Sequence, residues 1–156
     1  MPLLPRKPAS GHAALRRGRV SLPGQVYLVT FITCRRRPLF ADAGHAMVVA
    51  RCIHTACLGR DTKLLAWVLM PDHWHGLLQL GERETLAGLV QHLKTNSARR
   101  LPADVARPVW ARGFHDHALC READLRGVAR YIVMNPVRAG IVRSSGTYPY
   151  WNAVWL

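Results

Sequence analysis

The stretch Lys63-Leu64-Leu65-Ala66-Trp67-Val68-Leu69-Met70-Pro71-Asp72-His73-Trp74-His75-Gly76-Leu77-Leu78-Gln79-Leu80 decides how this chain folds. Its two apolar runs, residues 63–70 and 73–80, are split only by Pro71-Asp72, and so short a connection favours an antiparallel hairpin. Side chains alternate along a strand, so His73 and His75 share one face and Trp74 takes the other. Two neighbouring imidazoles on a rigid element suit a divalent metal. The same pair could instead hydrogen-bond its neighbours at a sheet edge.

Upstream, residues 25–33 are rich in β-branched and aromatic side chains and follow Pro23-Gly24, which predicts the first strand. Residues 44–58 then carry Met47, Val48, Cys52, Ile53 and Ala56 at helical spacing. Downstream, Leu86, Leu89, Val90 and Leu93 predict a second helix over 85–100, with Lys94, Arg99 and Arg100 towards its C-terminal end. Residues 101–112 hold two prolines and read as a loop, 113–119 as a fourth strand, and 124–135 as a third helix stopped by Pro136. The order βαββαβ plus a helix predicts an α+β, ferredoxin-like fold: an antiparallel sheet with an additional C-terminal helix. The expected organisation is a basic arm over residues 1–24, one domain over 25–142 and a tail over 143–156.

The chain has 156 residues, 22 Lys and Arg against 9 Asp and Glu, and a formal charge of +13. That imbalance makes a polyanion, and by default nucleic acid, the expected partner. No apolar stretch reaches the roughly 18 residues that suggest spanning, so no membrane partner is expected. The arm lacks the continuous apolar core of a secretory signal, although an acid-free, Arg-rich start also fits a transit peptide. The cations placed to grip phosphate are Arg16, Arg17, Arg19, Arg35, Arg36, Arg37, Lys94, Arg99, Arg100, Arg112 and Arg138. Cys34, Cys52, Cys57 and Cys120 form no C-x-x-C pair and are expected to be reduced core thiols in a cytosolic protein.

On the third helix, Leu125, Val128, Ala129 and Ile132 form the core stripe. Tyr131 falls roughly 100–130° from the centre of that stripe at 100° per residue, with Asn135 four residues on and on the same flank. A tyrosine on a helix flank is ordinarily a half-buried side chain with a wet hydroxyl. Its coincidence with Asn135, a histidine pair suited to metal and a polyanion-binding charge points to phosphodiester chemistry. A phenol with a pKa of about 10 is a weak nucleophile until a cation stabilises its oxyanion or the charge developing on phosphate. The late aromatics Tyr148, Tyr150, Trp151 and Trp155 are expected to cover the sheet or the last helix rather than stack on bases.

At these residues the sequence resembles the IS200-type transposases, and most closely the REP-associated tyrosine transposases among the HUH single-strand nucleases. The family's His-hydrophobic-His stands as His73-Trp74-His75, and its Tyr-Ile-x-x-Asn-Pro-Val-x-Ala-Gly block as Tyr131 to Gly140. The stretch Val109-Trp110-Ala111-Arg112-Gly113-Phe114-His115-Asp116-His117-Ala118-Leu119 resembles the segment between them. The resemblance implies that Tyr131 is the nucleophile, forming a 5′-phosphotyrosine with single-stranded DNA. It implies His73 and His75 as metal ligands with Asn135 as the third, and Mg²⁺ or Mn²⁺ as the ion. It further implies a substrate whose palindromic repeats fold into hairpins, and a bacterial protein of the cytoplasm and nucleoid. His115 and His117 form a second pair at strand spacing and are read as surface or phosphate-contacting groups.

The reading is therefore a metal-dependent single-strand DNA endonuclease and strand transferase that cuts and rejoins DNA near hairpins. The expected unit is a monomer, with a homodimer as the alternative. Its rival is a non-catalytic binder of hairpin DNA or RNA, a domesticated transposase acting as a regulator. An RNA-binding ferredoxin-like module would instead expose aromatics on its central strands, where the first strand offers only Tyr27 and Phe31.

Overall fold

Along β1, Val26–Ile32, residues alternate between partly buried and fully buried, the signature of a strand covered more completely on one side. It begins a computed structural model that describes residues 21–120 and 123–156. After β1 come α1 (Ala43–Ala56), β2 (Lys63–Met70), β3 (His73–Gln79), α2 (Leu86–Arg100), β4 (His115–Leu119), α3 (Leu125–Val133), α4 (Asn135–Arg138) and β5 (Trp151–Ala153). The strands lie in the order β4-β1-β3-β2-β5, and every pairing is antiparallel. The first four strands give the ferredoxin-like arrangement expected from the sequence. Three helix starts carry side-chain caps: Asp42 accepts from His45 N, Thr85 from Gly88 N and Asp124 from Gly127 N.

The sheet separates two apolar layers. On one face Tyr27, Val29, Phe31, Trp67, Leu69, Trp74 and Leu78 pack beneath α1 and α2. On the other, Ala66, Val68, Met70 and Leu77 meet Ala129, Ile132 and Val133 of α3. A nine-residue helix is too short to be stable alone, so α3 is held by this buried stripe. On the first face Trp74 stacks on Phe31 with ring centroids 4.9 Å apart, and Phe31 meets Trp110 edge-on at 4.7 Å. The Trp74 indole lies so flat across β3 that a Cβ on Gly76 would sit 2.1 Å from its Cη2 atom. Glycine is the residue that lets the indole lie there.

Three features depart from the sequence reading. The third helix ends at Val133, and Asn135 opens α4, because Pro136 has no N–H to continue the ladder but is at home in a first turn. The stretch after residue 142 returns to the sheet, where Trp151–Ala153 pairs with β2. Its aromatics pack as expected: Tyr148 is buried and donates to Leu69 O at 2.6 Å, and Trp151 Nε1 donates to Ser145 O at 2.9 Å. Of the four free cysteines, only Cys57 is buried; Cys34 and Cys52 are partly covered and Cys120 is exposed. Among the described residues no helix is long and apolar enough to cross a membrane.

Candidate active site

Register fixes the histidine pair. His75 sits between Thr30 of β1 and Val68 of β2, and His73 between Ile32 and Met70, so both imidazoles emerge on the sheet face that α3 covers. Trp74, packed into the opposite face, pins the strand between them.

Each imidazole is oriented through Nδ1. His73 Nδ1 lies 2.7 Å from Asp72 Oδ1, and Asp72 Oδ2 accepts from Arg36 at 3.3 Å. Partial burial works against the Asp72 carboxylate, but His73 and Arg36 hold its carboxyl below the usual range. His75 Nδ1 lies 2.5 Å from Thr30 Oγ1. Burial, then the charges of His73 and Arg138, push the His75 pKa down to about 4, so the ring is neutral near pH 7. Its Nε2 is buried and has no hydrogen-bond partner.

With Nδ1 of each ring engaged, the two Nε2 atoms are left as the open positions. A carboxylate or hydroxyl on the far nitrogen is the usual support of a metal-binding histidine. Two imidazoles, one of them with an orphaned buried nitrogen, therefore fit a divalent ion as a donor set. Asn135, partly buried at the start of α4, makes no side-chain hydrogen bond to another described residue and offers an amide oxygen. Among the described residues, no group of three or more His, Cys, Asp and Glu side chains could hold a metal, so a third protein donor would have to be of another type.

Tyr131 projects from α3 and is 57% exposed, on the flank the periodicity gives it. The guanidinium of Arg138 lies over its ring, 3.7 Å from the centroid. His115 pairs with Thr30 on the side opposite His75, so the second histidine pair shares the face of the first across β1.

The basic residues divide by what they already hold. The Lys94 ammonium donates to Ala111 O at 2.9 Å and to Gly113 O, and sits 5.6 Å from the Phe31 ring centroid. Its charge ties the 111–113 loop to α2, a structural duty that the charge count did not reveal. Arg37 likewise reaches Cys34 O, Ala106 O and Pro108 O at 3.2, 2.9 and 2.6 Å. Arg36 supports Asp72, and Arg100 lies near Cys52, where its charge works against the burial that raises the thiol pKa. Arg35, Arg99 and Arg112 are exposed and have no partner among the described residues. Arg16, Arg17 and Arg19 lie outside the described residues. Arg35 and Arg36 hold φ of 58° and 54°, a left-handed turn that costs on the order of 1–3 kcal/mol per residue. The Arg37 bonds and Thr33 Oγ1, which donates to Arg37 O at 2.7 Å, brace that turn beside the histidines.

Sequence reasoning missed Thr30 and Asp72. Asp72 carried a signal, since a carboxylate adjacent to a candidate ligand histidine is a natural support. Thr30 carried none, because its place opposite His75 depends on strand register.

The IS200-like transposase family model matches residues 22–135, a span that holds His73, His75, Tyr131 and Asn135. The chain belongs to that family. It is 32% identical over 98 residues to a protein of Haemophilus influenzae assigned as a REP-associated tyrosine transposase, covering 55% of this chain and 56% of that one. It is 27% identical over 92 residues to the REP-associated tyrosine transposase of Escherichia coli K12, covering 58% and 54%. The chain thus spans about half the length of the curated relatives it matches. A solved structure of a REP-associated tyrosine transposase bound to a REP hairpin superposes with a TM-score of 0.70 at 23% identity, covering 85% of this chain and 79% of that one. That likeness establishes the shared fold.

Proposed function

We propose that this chain cuts and rejoins single-stranded DNA beside hairpins of REP-like palindromic repeats, through a 5′-phosphotyrosine on Tyr131. The observation that carries the reading is His75 Nε2, buried and unpartnered beside His73, on the sheet face covered by the tyrosine helix. Family membership supports it. So does the REP hairpin bound by the structural neighbour.

In the cleavage step Tyr131 Oη bonds to phosphorus and the bond from phosphorus to O3′ breaks. The phenolic proton passes to solvent and the departing 3′ oxygen takes one up, so no water is consumed. The phosphodiester energy stays in the phosphotyrosine, and attack by another 3′-hydroxyl reverses the step and reseals the strand. His73, His75 and Asn135 would hold Mg²⁺ or Mn²⁺, which when bound supplies Lewis-acid polarisation of the phosphate. Arg35, Arg99, Arg112 and Arg138, with Arg16, Arg17 and Arg19 of the arm, grip backbone phosphates. The site is assembled within one chain, as a monomer, in the bacterial cytoplasm against the nucleoid.

The test is a denaturing gel of protein with end-labelled hairpin DNA and Mn²⁺. Wild type forms a covalent adduct, and Tyr131→Phe forms none while binding DNA nearly as well. Adduct formation by Tyr131→Phe would overturn the nucleophile. A wild type that binds a broad panel of hairpins but never forms an adduct would leave a non-catalytic binder.

A further inference from the structure

The ring of Tyr131 is covered by Arg138, whose guanidinium makes no hydrogen bond or ion pair among the described residues. In a straight helix, residues seven apart are separated by about 10.5 Å along the axis. Helical side chains tilt towards the N-terminus, so a long side chain on α4 reaches back over α3. The break at Met134, with α4 restarting around Pro136, sets the meeting at 3.7 Å.

We propose that Arg138 positions the Tyr131 ring and carries the charge that steadies the phosphate under attack. The proposal rests on Tyr131 being the nucleophile and adds a second residue to that step. Arg138 is exposed and meets no carboxylate among the described residues, so its N–H groups are free to meet an anion arriving at Tyr131. The chemistry follows from the group. A guanidinium is planar, so it can cover one face of the phenol ring and restrict its swing, which a half-exposed tyrosine otherwise retains. Its N–H fork matches two phosphate oxygens, and its permanent charge opposes the extra negative charge that builds as Oη bonds to phosphorus. It gives up no proton and is not the base; the proton balance of the step is unchanged.

Arg138 is exposed, so its replacement tests function without emptying the core. Hairpin cleavage with Mn²⁺ is followed for wild type, Arg138→Lys and Arg138→Ala at saturating and limiting DNA. Arg138→Ala is expected to lower kcat by about 10²–10³-fold, the usual loss of one preorganised charge donor, with KM rising by less than about tenfold. Arg138→Lys recovers part of the rate, and millimolar free guanidinium restores part of it to Arg138→Ala. A rise in KM with kcat unchanged would reduce Arg138 to a backbone grip and overturn the proposal. Equal loss in both variants without rescue would mark it as structural, with the same consequence. In DNA-free protein the ¹³C-tyrosine signal of Tyr131, assigned with Tyr131→Phe, should shift in Arg138→Ala; an unmoved signal would overturn the stacking. A wild type without adduct defeats the nucleophile reading, whereas an adduct formed equally fast by Arg138→Ala defeats only this one.

Discussion

Replacing Thr30 with valine tests the histidine site without touching a proposed ligand. Valine keeps the β-branched shape that suits β1 and removes only the hydroxyl that lies 2.5 Å from His75 Nδ1. Because His75 Nε2 already lacks a partner, the variant leaves both ring nitrogens unsatisfied in a buried setting. A buried polar group deprived of its bond costs about 1–3 kcal/mol. At roughly 2–4 °C per kcal/mol for a chain of this size, melting should fall by several degrees. The ring also loses the support that fixes its tautomer, and such losses weaken metal binding by about 10–100-fold. Mn²⁺ titrated calorimetrically into DNA-free protein reads the second effect directly, and thermal denaturation reads the first. Thr30→Val should bind Mn²⁺ at least about tenfold more weakly than wild type, and excess Mn²⁺ should widen the gap in melting temperature, because it stabilises the tighter-binding wild type more. An unchanged Mn²⁺ affinity, with the variant folded, would refute the view that Thr30 orients a metal ligand.

Gly76→Ala places a Cβ 2.1 Å from Trp74 Cη2, and overpacking of that kind costs about 1–3 kcal/mol or more; urea denaturation should show the loss. Lys94→Met should lower the melting temperature and leave the salt dependence of DNA binding unchanged, because its ammonium is engaged with Ala111 O and Gly113 O. Arg112→Ala should do the reverse, reducing the slope of log K against log salt by about 1 with the melting temperature unaltered. Because the Asp72 carboxyl is held down in the folded state, its contribution to stability is present above the unfolded pKa of about 3.9 and is lost as pH falls through the folded value. Urea unfolding of wild type and Asp72→Asn should therefore differ at pH 6 and converge in the acid range; a constant difference would contradict the assignment.

Much of this geometry was legible in the residues because local signals agreed with the global fold. Pro71-Asp72 between two apolar runs gives the hairpin, and alternation then puts His73 and His75 on one side. Thr85 and Asp124 start their helices as caps should. What escaped needed three-dimensional information. Trp151–Ala153 is too short for a period of two to register. Lys94 and Arg37 look like phosphate contacts in a charge count, because their distant carbonyl partners, Ala111 and Gly113 for Lys94 and Ala106 and Pro108 for Arg37, lie in the 101–113 connection, which has no periodicity of its own. Thr30 resembles any strand threonine until register sets it against His75.

The pairing of β5 with β2 also has a mechanical consequence. The segment carrying Tyr131 leaves the sheet from β4, at one edge, and rejoins it through β5 at the other, with Tyr148 fastened to Leu69 O. The helix is thus a beam on two piers set in the same sheet. Lending it to a second molecule would require unzipping one pier first, while rocking in place leaves both intact. A beam so mounted can adjust the tyrosine only by small rotations against a fixed row of imidazoles.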